Sequence, residues 1–76
     1  MKELVEHLVM RLVENPDRAS VTEVRRGEDT VTYEVRVAEE DFGKVVGKGG
    51  SVANAIRTIV RAAASKQGQR AFVDII

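Results

Sequence analysis

At 76 residues the chain is long enough for one domain, and it lies near the size below which a single core needs disulfides, metals or a partner. It has no cysteine, which excludes a disulfide framework and thiolate metal sites, and no apolar run of membrane-spanning length. The formal net charge of zero conceals two halves of opposite sign: residues 1–42 hold six Lys/Arg against eleven Asp/Glu, and residues 43–76 hold six against the single Asp74.

In the first segment Leu4, Val5, Leu8, Val9, Leu12 and Val13 recur at helical spacing with charged residues between them, which predicts an amphipathic helix stopped near Asn15-Pro16. Its mixture of charges and aliphatics is unlike a signal peptide, so a cytoplasmic location is expected. His7, the only histidine, falls on the polar side of this helix with no nucleophile or second base to work with. Val21 and Val24 then lie in a β-prone stretch, and Arg26-Gly27-Glu28-Asp29 supplies a turn. The run TVTYEVRV follows, placing Val31, Tyr33, Val35 and Val37 on one face and Thr30, Thr32, Glu34 and Arg36 on the other. These two strands are expected to form a hairpin.

Glu39-Glu40-Asp41 places three carboxylates at a helix start. The positive end of the helix dipole accounts for them without a bound cation, so no metal is expected. A short helical piece runs from Phe42 to Val46 and ends in Gly47-Lys48-Gly49-Gly50. From Ser51 the residues Val52, Ala53, Ile56, Ile59, Val60 and Ala63 mark the apolar face of a longer helix, with Arg57 and Arg61 four apart on another side, and Gln67-Gly68-Gln69 closes it. Ala71, Val73 and Ile75 alternate with Phe72, Asp74 and Ile76 as a last strand. A helical crossover makes that strand parallel to the second one while the hairpin stays antiparallel. The expected architecture is therefore α+β, α-β-β-α-α-β, with a three-stranded mixed sheet covered on one face by helices. Tyr33, Phe42 and Phe72 are the only aromatics, too few for a base-stacking platform, and are expected in the core or at a groove edge.

The glycine turn has several readings. A Walker A loop needs GxxxxGK followed by Ser or Thr, and here only three residues separate Gly43 from Gly47 while Gly49 follows the lysine. A dinucleotide fingerprint needs a preceding strand, and this turn follows a helix. A plain helix-to-helix turn would need glycine only for positive φ. A phosphate-contacting GxxG turn would use glycine to let the backbone approach a nucleic acid, with Lys48 adding charge and the amides of the next helix adding donors.

The string VVGKGGSVANAIR resembles the signature of KH domains: an aliphatic pair Val45-Val46, the GxxG of Gly47 to Gly50, then Ala53 and Ile56 at the spacing of two further apolar positions. The order of elements resembles the type II KH arrangement, and residues 1–76 as one domain resemble the small stand-alone bacterial KH proteins of the KhpA family. Ala53 departs from the usual isoleucine or leucine and would make the groove shallower. The resemblance implies single-stranded RNA binding, as an RNA chaperone or post-transcriptional regulator, in a groove holding about four nucleotides. Gly47, Lys48, Gly49 and Gly50 would meet the backbone, Val45, Val46, Ala53 and Ile56 would bear on bases or support the groove floor, and Lys44 and Arg57 would face phosphates. It also implies pairing, with a second copy or with a larger KH protein of the Jag type, which leaves open a role chiefly in assembly. No cofactor, small-molecule substrate, membrane or enzymatic activity is expected, because the chain lacks a nucleophile, base and orienting set.

Overall fold

A computed structural model describes residues 1–76. Its elements are α1 (Lys2–Met10), β1 (Ser20–Arg25), β2 (Thr30–Arg36), α2 (Glu39–Val46), α3 (Ser51–Lys66) and β3 (Arg70–Ile75), with short 3₁₀ turns at Pro16–Arg18 and Lys48–Gly50. The sheet order is β1-β2-β3, antiparallel between β1 and β2 and parallel between β2 and β3. This is the expected α+β arrangement.

Register explains the core. Val21 pairs with Val35, Tyr33 with Val73 and Val31 with Ala71, so the inward residues of all three strands share the face that the helices cover. Val5 and Val9 of α1, Val45 of α2, and Ile56, Val60 and Ala64 of α3 complete one cluster against them. The other face carries Val24, Thr32 and Phe72 side by side, and Thr32 is only 6 % exposed although it lies on the polar side of the alternation. Its place on the central strand, between two larger apolar neighbours, is the reason.

Two expectations are corrected. The first helix ends at Met10 rather than near Asn15-Pro16. Leu12 and Val13 still pack on the core, but they do so from a turn closed by Leu12 N–H to Val9 O at 3.0 Å. On α3 the buried line is Ala53, Ile56, Val60 and Ala64, whereas Ile59 is 45 % exposed and Ala63 only half-buried. The helix meets the sheet along i, i+3, i+7 and i+11, a narrower stripe than the apolar residues occupy. Among the aromatics only Tyr33 is in the core, and burial raises its phenol above the ordinary range; Phe42 and Phe72 stand exposed.

The end of α3 follows its sequence signal closely. Gln69 N–H bonds to Ala64 O and Gly68 N–H to Ser65 O, with Gly68 at φ +70°, which is a Schellman closure and explains why glycine stands there. That closure turns the chain straight into β3 and fixes how α3 lies along the sheet edge.

Candidate nucleic-acid interface

The turn between α2 and α3 is built from three glycines in backbone conformations that other residues avoid. Gly47 sits at φ 77°, ψ 169°, a region open essentially to glycine alone, while Gly49 (φ 63°, ψ 19°) and Gly50 (φ 80°, ψ 12°) are left-handed. A Cβ on Gly47 would run into the Val52 side chain and lie 2.7 Å from the Val52 nitrogen; one on Gly49 would meet nothing, and one on Gly50 only Asn54 Nδ2 at 3.8 Å. The glycine at 47 is therefore required by packing inside the protein, and those at 49 and 50 by their φ. None of the three needs an outside ligand to explain it.

The same geometry leaves something for a ligand. Gly50 N–H closes the turn on Gly47 O at 3.1 Å and Ser51 N–H reaches Lys48 O, but the amides of Lys48 and Gly49 take no backbone acceptor. A helical residue followed by a left-handed one tilts successive N–H groups toward one side, forming a concavity that suits an oxyanion. Lys48 is exposed beside it, and its side chain takes part in none of the ion pairs in the chain.

The helix that this turn opens packs on β3, whose outer side is the free edge of the sheet. Arg70 N–H bonds to Asp29 O and Ile76 N–H to Val35 O, so the even-numbered residues of β3 turn their backbone groups toward β2 and Ala71, Val73 and Ile75 turn theirs outward. Arg57 bridges α3 to this edge: its Nε donates to Val73 O at 3.2 Å and its Nη1 to Asn54 Oδ1 at 3.2 Å. Its other guanidinium N–H groups are free.

The remaining sequence candidates divide between surface and core. Val45, Ala53 and Ile56 are buried, at no more than 4 % exposure, so they lie beneath the surface between α2 and α3, and Val46 is half-buried at its rim. Lys44 is drawn away toward Glu14, with Nζ to Oε2 at 2.7 Å. Asp41 is a residue whose importance sequence reasoning missed. It is fully buried, and its carboxylate accepts the backbone N–H of Glu14 and of Asn15, each at 3.0 Å, and the Asn15 side-chain amide at 3.1 Å. These bonds, the Glu14 amide foremost, hold the Asp41 carboxyl below its usual pKa. They also fasten α2 to the segment after α1. The signal in the sequence was ambiguous, because any of the three adjacent carboxylates suits a helix start.

A helix–GxxG–helix unit laid along the parallel edge strand of a three-stranded mixed sheet, in the order α-β-β-α-α-β, defines a type II KH domain. The family described as KhpA/KhpB, KH domain matches residues 2–75, and the chain belongs to it. Relatives named RNA-binding protein KhpA include that of Clostridium acetobutylicum, 49 % identical with both chains fully covered. That of Aquifex aeolicus is 43 % identical over all of this chain and 95 % of its own, and that of Chlamydia pneumoniae 37 % identical over all of this chain and 96 % of its own. No solved structure gives a significant match.

Proposed function

We propose that the protein binds single-stranded RNA without catalysing its chemistry, as one cytoplasmic KH domain over residues 1–76 that takes about four nucleotides in the groove between the GxxG turn and the β3 edge. The observation that carries this reading is the turn itself: two free amides, a concave backbone and an unpaired lysine, at the start of the helix whose Arg57 reaches the outward-facing backbone of β3. The names of the relatives support it. In this reading Gly47, Lys48, Gly49 and Gly50 hold phosphate and Arg57 meets the next one. Val46 touches bases, while Val45, Ala53 and Ile56 form the floor from below. Lys44, paired with Glu14, contributes field rather than direct contact.

The test replaces Lys48 and Gly49 together by aspartate. Gly49 has open space around its Cα, and Asp is among the residues that tolerate left-handed backbone, so the fold is expected to survive. Loss of oligonucleotide binding with an unchanged circular dichroism spectrum is the expected result, and unchanged affinity would refute the groove.

A second reading, pairing with another copy or with a larger KH protein of the Jag type, is favoured by one observation. Ile59, 45 % exposed, lies on the outer side of α3 one turn from the exposed Ala62 and half-buried Ala63, which together form a small, smooth apolar strip. Self-pairing and RNA binding are compatible, because two weak grooves on one dimer gain avidity.

A further inference from the structure

An open pocket of about 420 Å³ lies at the far end of the same sheet edge. Arg61, Ser65, Gln69, Arg70, Ala71 and Phe72 line it, so it is bounded by the last turns of α3 on one side and the start of β3 on the other. Arg61 and Arg70 are both exposed and neither forms an ion pair within the chain. Ala71, at its floor, is one of the residues whose backbone N–H and C=O point outward from β3. Phe72, 44 % exposed, gives it an apolar wall.

The pocket is in line with the groove. Arg57 touches β3 at Val73, and Arg61 stands beside Ala71, so moving four residues forward along α3 matches moving two residues back along β3. Both steps are about 6 Å, at 1.5 Å per helical residue and 3.3 Å per strand residue. The cations Arg57, Arg61 and Arg70 therefore follow one another along the β3 edge, and within residues 43–76 the only acidic side chain is that of Asp74. A cavity with two uncompensated guanidiniums, neutral hydrogen-bonding side chains and free backbone groups suits a phosphate diester better than it suits a peptide or an apolar ligand.

We propose that this pocket is an additional nucleotide subsite. It takes the phosphate of a single strand that has left the four-nucleotide groove, with Arg61 and Arg70 as the clamp. The proposal rests on the groove reading for its direction, and it makes the footprint of one domain longer than the groove alone.

Binding of a tetranucleotide and of an octanucleotide, as fluorescently labelled RNA of random sequence, is measured by anisotropy over a range of salt for the unaltered protein, for R61A/R70A, and for the Lys48→Asp, Gly49→Asp variant. Both arginines are exposed, so their removal leaves the core alone. For the unaltered protein the octamer is expected to bind several-fold tighter than the tetramer by more than the statistical gain of extra registers. R61A/R70A is expected to remove that excess, to lower the octamer salt slope by about 0.7 for each phosphate no longer neutralised, and to leave the tetramer unchanged. Equal losses for both lengths, or none for either, would overturn the subsite. The aspartate variant separates the two readings. If it abolishes both lengths while R61A/R70A changes nothing, the groove stands and the subsite falls; if octamer binding survives it but not R61A/R70A, the groove reading falls and the pocket alone holds RNA.

Discussion

Asp41 fastens α2 to the segment after α1, and Gly47 lets the chain pass close to Val52 at the turn that follows. Asp41 closes three hydrogen bonds to Glu14 and Asn15 from a fully buried site, and its pKa is lowered there. Because the folded state holds fewer protons than the unfolded state in this window, the carboxylate's contribution to stability is complete above the ordinary aspartate pKa of about 3.9 and is lost as pH falls below it. Acid denaturation followed by circular dichroism should show that loss, and Asp41→Asn should both lower the denaturation midpoint at neutral pH and flatten the acid limb, since the amide turns donors toward backbone donors. A variant as stable as the parent at pH 7 would mean that the clamp is dispensable. At Gly47 alanine would combine a clash with Val52 and a glycine-only backbone, whereas at Gly49 it would meet only the left-handed penalty. Gly47→Ala is expected to cost more than ~3 kcal/mol in urea denaturation and Gly49→Ala about 1–2 kcal/mol, with Gly49→Asn milder still.

At the scale of elements, α3 serves two surfaces at once. Its inner stripe fills the core, so Ile56→Ala should cost about 2–5 kcal/mol. Its outer side carries Ile59, and Ile59→Ser should leave monomer stability within about 0.5 kcal/mol. Light scattering over a range of concentrations then separates filler from interface. If the outer strip pairs copies, the parent protein gives a mass above that of one chain and the serine variant gives the monomer; a parent that stays monomeric at high micromolar concentration would leave a different protein as the only partner for that strip. On the edge strand β3, Arg57 occupies the outward Val73 carbonyl, which hinders unwanted strand addition there.

For the whole molecule the balance of charge matters more than its sum. The chain is neutral, yet its second half carries six cations and one acidic side chain, and three of those cations, Arg57, Arg61 and Arg70, lie along the β3 edge. Arg57→Ala is expected to weaken binding to all sequences alike and to lower the salt slope by about 0.7 for the one phosphate it neutralises, while Arg11→Ala on the other half does neither. Lys44→Ala should change the slope less than Arg57→Ala, because Glu14 already neutralises it. A large effect from Arg11 would move the interface to the opposite side of the protein. With 16 of 76 residues buried there is little core to spare, so each of these tests needs its stability control.

The order of elements, the mixed sheet, the Schellman closure at Gly68 and the position of the glycine turn were all legible in the chain, because each is written in local periodicity or in residues that punctuate it. The GxxG part of the candidate site was legible for the same reason, and so was Arg57 as a cation near it. The rest depended on residues far apart in sequence coming together. The anchoring of the segment after α1 was decided by Asp41, 27 and 26 residues away from the amides it accepts. The pairing of Lys44 was decided by Glu14, and the burial of Ala64 rather than Ile59 by which side of α3 packs against the sheet. Even the reason for Gly47 lay in Val52, across the turn. Periodicity tells which residues share a face of one element, but which face meets which neighbour, and which cations are left without a partner, is settled only when the elements pack.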